Sequence, residues 1–195
     1  MHLDSTRRLL VAPRASSTTI LALSELAAEV QRSRTVSGVL ETAGQGILRL
    51  GMRLYAFETE ADDLVLRHFA ATPSRLRAIE LSIGRPLRGL RAPIAAVPLA
   101  TEVVRRRRIL HREDLDVFGS FMRCSTGFDP ETLHALPATV GSYDGVLAPL
   151  FVREEMWGLL GVVSPTFTRD DAAAVGLFAT QVGSALEVAL SMEAL

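Results

Sequence analysis

The sequence predicts an α+β protein with a central antiparallel sheet of about five to six strands and helices packed on both of its faces. Three observations lead there. Two pairs of β-rich segments, at 52–71 and 145–164, are each split by a short polar turn and read as hairpins. Amphipathic helical patterns lead into the first pair and follow the second. Between the pairs, Pro98, Asp114 and Asp129-Pro130 signal brief helices. With 195 residues, 48% of them apolar, the chain can bury one core, since domains run to roughly 100–200 residues.

Taken in order, residues 1–17 are polar, contain three arginines and are broken by Pro13, so a flexible tail is expected, followed by a single domain over 18–195. The longest apolar stretch of that tail, 9–12, is too short for a signal-peptide core of about 7–15 residues. Ile20, Leu23, Ala27 and Val30 recur at helical spacing. Ser33-Arg34-Thr35 breaks this helix and offers a new N-cap; Val36, Val39, Leu40, Ala43, Ile47 and Leu50 then mark a second helix ending near Gly51. Segments 52–59 and 64–71 form the first hairpin around Glu60-Ala61-Asp62-Asp63. Arg77, Ile79, Leu81 and Ile83 alternate with Ala78, Glu80 and Ser82, which predicts a third strand stopped by Gly84 and Pro86. Pro98 opens a short helix through Val104, and Ile109-Leu110-His111 reads as a short strand. Segments 145–152 and 156–164 pair around Arg153-Glu154-Glu155. Thr168 caps a last helix over about 169–192, with Asp170 and Asp171 placed where the helix dipole favours acids.

Composition narrows the function classes. All 21 basic residues are arginine, and the chain has neither lysine nor asparagine, which excludes motifs that require them, such as a phosphate-loop lysine. The net charge of −1 hides an uneven distribution: residues 75–112 carry ten arginines against Glu80 and Glu102, while 113–195 carry three arginines against twelve acids. Cys124 is the only cysteine, which excludes an internal disulfide and a multi-cysteine metal cluster and makes the cytoplasm the expected compartment. No uninterrupted apolar run reaches the about 18–20 residues of a membrane helix, so no membrane partner is expected.

The last third carries a resemblance. Pro149-Leu150 lies on one strand and Trp157-Gly158-Leu159-Leu160-Gly161-Val162-Val163 on the next. Phe167-Thr168-Arg169-Asp170-Asp171 then opens a helix containing Phe178-Ala179-Thr180-Gln181-Val182 and Ala185-Leu186. Together these resemble a GAF domain, the small-molecule sensory module of many bacterial signalling proteins, and the likeness extends over roughly 19–193. Gly158 and Gly161 are expected to let a helix approach the strand closely. The resemblance implies a GAF-like fold and a ligand pocket covered by the region that follows Gly84. The family binds cyclic nucleotides, tetrapyrroles, haem, metals or nothing. Its common cyclic-nucleotide signature uses Asn and Lys, which this chain lacks. Its bilin-binding members commonly follow the attachment cysteine with His, whereas Ser125 follows Cys124. Its free methionine sulfoxide reductases cycle several cysteines, which one thiol cannot reproduce.

Candidate ligand-binding residues follow. Arg85, Arg88 and Arg91 flank Gly84, Gly89 and Pro93, and could form a mobile fork of donors for a carboxylate or phosphate. His111, Cys124 and His134 fall in the region that would wall the pocket, and Phe118, Phe121 and Met122 would line it. Each has a plainer reading: a hydrogen-bonded histidine, a half-buried thiol, side chains packed on the sheet. The arginines at 105–108 with Arg112 either meet an anion or complement a helix C-terminus, an effect of about 0.3–1 kcal/mol. Neither a helix-turn-helix nor an aromatic-basic stripe accompanies them, so nucleic acid is not an expected partner. No nucleophile–base–acid set, paired carboxylates or metal-ligand spacing is found; neither catalysis nor a metal, haem or bilin cofactor is expected.

A dimer is expected through the terminal helices. Val175, Phe178, Val182, Ala185, Ala189 and Met192 follow a heptad-like seam, widened by Ala179, Leu186 and Leu190, and Ile20, Leu23, Ala27 and Val30 offer a second seam. The sequence thus points to a non-enzymatic sensory domain that binds a small anionic ligand and signals through a helical homodimer to a separate effector, such as a histidine kinase. The alternative is an interaction and dimerisation module of the same fold, its pocket filled by its own side chains.

Overall fold

Helix α1 (Ala15–Val30) and helix α2 (Val36–Arg49) are joined by a turn in which the Thr35 side chain accepts a hydrogen bond from the Gly38 N–H, as its N-cap pattern predicts. They open a computed structural model that describes residues 15–128, 143–165 and 167–194. Strands β1 (Arg53–Glu60) and β2 (Asp63–Phe69) form the first hairpin. Helix α3 (Pro73–Ile83), strand β3 (Arg91–Pro93), helix α4 (Pro98–Arg106), strand β4 (Leu110–Leu115) and helix α5 (Val117–Cys124) follow. Strands β5 (Tyr143–Val152) and β6 (Glu155–Val163) form the second hairpin, and helix α6 (Arg169–Glu193) closes the chain.

The six strands form one sheet in the order β3-β2-β1-β6-β5-β4, every neighbouring pair antiparallel. The period-two alternation of the central strands divides the interior into two cores. Leu54 and Ala56 of β1, Val146, Ala148 and Leu150 of β5, and Leu160 and Val162 of β6 face α1, α2 and α6. Tyr55, Phe57, Leu147, Leu159 and Val163 face the opposite way, under α3, α4 and α5. The expected α+β architecture, with helices on both faces, is the observed one.

Helix α6 begins with a capping box: the Thr168 hydroxyl accepts from the Asp171 N–H at 3.3 Å and the Asp171 carboxylate accepts from the Thr168 N–H at 2.8 Å. Such caps contribute about 0.5–2 kcal/mol. By length and mean hydropathy α6 could span a bilayer, but the face from Ala174 to Ala189 is spent on the sheet and on α1. Its close approach to the sheet is made by Gly183, where a Cβ would lie 2.5 Å from the Phe151 carbonyl oxygen. The glycines expected to serve that purpose act otherwise: Gly158 abuts the backbone of Phe57, and Gly161 lies beneath the ring of Tyr55.

Three local expectations are corrected. Residues 77–83 are not a strand but the body of α3, started by Pro73 and ended by Gly84 at φ +70. The helical face carries Ile79 and Ile83 inward, while Leu81, which a strand would place beside them, is 74% exposed. Asp114 does not cap a helix; it sits in the irregular end of β4 with φ +59, and Asp116 holds the N-cap position of α5. Residues 15–17, expected in the tail, belong to α1. The Asp129-Pro130 helix start lies outside the described residues.

Candidate functional site

The core beneath α3, α4 and α5 is aromatic at its centre. Phe57 on β1 packs on Phe121 of α5 with ring centroids 4.7 Å apart, and Phe69 at the end of β2 stacks on Phe118 at 4.5 Å. Tyr55 sits between, 5.7 Å from Phe57 and 5.9 Å from Phe118. Its ring can lie flat because its cross-strand neighbour is Gly161, where a Cβ would fall 1.8 Å from the Tyr55 Cε2. Met122 is fully buried in the same cluster. Phe118, Phe121 and Met122, the expected pocket-lining residues, are all buried in this packed core.

One polar atom stands out. The Tyr55 side chain is 3% exposed and its hydroxyl has no hydrogen-bond partner among the described residues. Buried hydroxyls normally find one, and an orphaned group costs about 1–3 kcal/mol. Burial, with the nearby Asp116 carboxylate adding to it, pushes the phenol far above its ordinary value and keeps it protonated. The Asp116 carboxylate is itself held by the Arg123 guanidinium at 2.5 Å. Sequence reasoning did not single out Tyr55; its only signal is the pairing of an aromatic on one strand with a glycine on another.

The expected arginine fork is not assembled. Arg91 is turned to Glu60, with Asp63 at 3.6 Å. Glu60 also binds Arg67, so the guanidinium belongs to an ion-pair network across β1, β2 and β3. Arg85 lies over the Phe128 ring at 4.7 Å, and Arg88 stands near His68. All three are exposed. His111 is also displaced from the compartment. It pairs with Val146, whose side chain faces α6, and stacks on Phe167 with centroids 6.0 Å apart. The Cys124 thiol, half-buried, donates to the Ala96 carbonyl at 3.2 Å. His134 lies outside the described residues.

The dimer seam is occupied from within. Leu23, Ala27, Val30, Val175, Phe178, Val182, Ala185, Leu186 and Ala189 are all buried in the single chain, because the heptad-like face is the one that α1 and α6 turn to each other and to the sheet. Of the candidate seam residues, only Ile20, at 46%, and Met192, at 48%, remain exposed. The outer face of the same helices carries Leu21, Leu177 and Val188 as well. A groove of about 420 Å³ runs between α1 and α6, floored by Leu23, Ala27 and Phe178, rimmed by Ile20 and Leu177, and closed at one end where the Gln31 amide donates to the Gln181 carbonyl at 2.8 Å. None of its lining residues is charged. The arginine run ends α4: Arg106 and Arg112 pair with Glu102 at 2.8 and 3.5 Å, and Arg107, at φ +52, reaches the Glu154 carbonyl and covers the Phe151 ring.

The GAF domain family profile matches residues 31–186, and the chain belongs to that family. Solved structures with the same fold include the GAF domain of a phosphoenolpyruvate-protein phosphotransferase from Coxiella burnetii, with TM-score 0.63 and 14% identity over 93% of this chain and 99% of that one. A segment of a methyl-accepting chemotaxis protein matches with TM-score 0.60 and 20% identity over 90% of this chain and 99% of that one. The free methionine-R-sulfoxide reductase of Neisseria meningitidis, in complex with its substrate, matches with TM-score 0.60 and 17% identity over 94% of this chain and 96% of that one. A comparison with curated protein sequences finds no match. At these identities the likeness establishes the fold, and neighbours sit in signalling proteins as well as in an enzyme.

Proposed function

We propose that this GAF domain is a non-enzymatic, cytoplasmic sensory module that takes a small ligand into the compartment beneath α3, α4 and α5 and transmits occupancy to a separate effector. The observation that carries the reading is the Tyr55 hydroxyl, buried among apolar side chains without a partner, on the sheet floor of that compartment. A ligand atom would satisfy it. The reductase chemistry of one structural neighbour does not transfer, since a thiol–disulfide cycle needs more than the single Cys124. Denaturing mass spectrometry of the purified chain tests the reading: a stoichiometric small molecule supports it, and an empty protein counts against it.

The second reading, an interaction module with a filled compartment, draws on Phe118, Phe121 and Met122, which already occupy the space a ligand needs. Both readings use a homodimer, and its surface is the outer face of α1 and α6 rather than the buried seam. Two copies laying uncharged grooves together would cover Ile20, Leu21 and Leu177. A signalling partner such as a histidine kinase would then read changes at these helices. Sedimentation equilibrium at micromolar concentration is expected to show dimer for the native chain and a 21.1 kDa monomer for Ile20→Glu with Leu177→Glu. A native chain that stays monomeric throughout would remove the dimer from both readings.

A further inference from the structure

We propose that the compartment is built for an uncharged ligand with an aromatic body, whose ring takes the place of the Phe118 ring against Tyr55 and Phe69 while a polar atom accepts a hydrogen bond from the Tyr55 hydroxyl. The inference rests on the ligand-sensing reading above and reverses the anionic preference that the arginine count suggested. Three observations converge on it. The Phe118 ring packs against two aromatic side chains paired side by side on the sheet, stacked at 4.5 Å and 30° on Phe69 and 5.9 Å from Tyr55. It thus occupies the position a planar guest would prefer, where offset and tilted ring contacts are favourable. It does so from the second residue of α5, an eight-residue helix, so vacating the place requires moving one short element and not the sheet.

The second observation is the hydroxyl itself, fully buried and unsatisfied beside that ring. Because burial keeps the phenol protonated, it offers a donor and calls for an acceptor. The third concerns charge. The Asp116 carboxylate acts on this hydroxyl, while Arg85, Arg88 and Arg91 are exposed, Arg85 lying over Phe128 and Arg91 paired with Glu60. An anion placed on Tyr55 would face a carboxylate, while Arg123, the cation paired with that carboxylate, lies at the surface and is already engaged, so the anion would leave water poorly compensated, which is costly in an apolar site. A neutral carbonyl or amide meets the same donor without that penalty.

Benzamide, benzoate and toluene share one ring and differ in the group attached to it, so they separate these terms. Titration of each into the full chain, followed by ligand-observed NMR, is expected to show benzamide binding best. Tyr55→Phe should weaken benzamide roughly three- to tenfold and leave toluene unchanged. Phe118→Leu, which removes the resident ring but keeps an apolar side chain, should tighten benzamide; the native and Tyr55→Phe arms stand without it should that variant not fold. Benzoate binding as tightly as benzamide would overturn the assignment to a neutral ligand. Unchanged benzamide affinity in Tyr55→Phe would overturn the role of the hydroxyl. Failure of all three probes on both the native chain and Phe118→Leu would overturn the site. None of these outcomes touches the co-purification test, which decides separately whether the domain senses a ligand.

Discussion

His68 shows how much one side chain can be constrained from the far side of the sheet. It pairs with Ala56 on the face turned to the long helices, and its Nε2 is buried without a hydrogen-bond partner among the described residues. Helix α2 admits it only because residue 44 is glycine, where a Cβ would fall 2.2 Å from that nitrogen. Burial holds the imidazole below its ordinary value of 6.5; Arg88 works in the same direction and Glu41 against it. A group with a lowered folded-state pKa stabilises the fold above its unfolded value, and that stabilisation is lost as pH falls below 6.5 towards the folded value, because the unfolded chain takes up the proton first. Urea midpoints measured from pH 8 to pH 5 are therefore expected to fall more steeply for the native chain than for His68→Leu. Identical slopes would show that another group governs the acid limb. Gly44→Ala should cost about 1–3 kcal/mol at any pH, as overpacking does.

At the scale of elements, helix α3 separates local signals from their arrangement. Ile79 and Ile83 lie four apart, so they share a face in a helix and equally in a strand, and the alternation of apolar and polar residues around them favoured the wrong period. The decisive residues are the punctuation, Pro73 at the start and Gly84 at the end. Ile79→Glu is expected to destabilise by several kcal/mol, because it buries an unpaired charge, whereas Leu81→Glu should stay within about 0.5 kcal/mol. Equal effects in thermal denaturation would restore the strand. The hairpins, the Thr35 and Thr168 caps and α6 were legible for the opposite reason: each is written within a few consecutive residues. The candidate site was less so, since its determinants are pairings at long range. Arg91 is taken by Glu60, 31 residues upstream, and Tyr55 owes its posture to Gly161 on a distant strand. The apolar rows on α1 and α6 were read correctly as apolar, but nothing along a helix says whether its stripe meets a second copy or its own sheet.

Across the whole molecule, β1, β5 and β6 serve both cores at once, so the two are expected to unfold together. Trp157, the only tryptophan, packs on the side of α1, α2 and α6, whereas Phe121 is buried on the other. Phe121→Ala, at a typical cost of about 3–5 kcal/mol, should shift the denaturation curve followed by Trp157 fluorescence as far as the one followed by circular dichroism. Two separated curves would show that the cores are independent. The shared strands also bear on communication. Leu54 and Ala56 are bonded directly to Tyr55, one residue to either side, and they lie under α2, which in turn packs on α1 and α6. A ligand that displaced Tyr55 from below would have only one peptide plane to cross before it disturbed the seat of α2, and with it the helix on which both α1 and α6 lean.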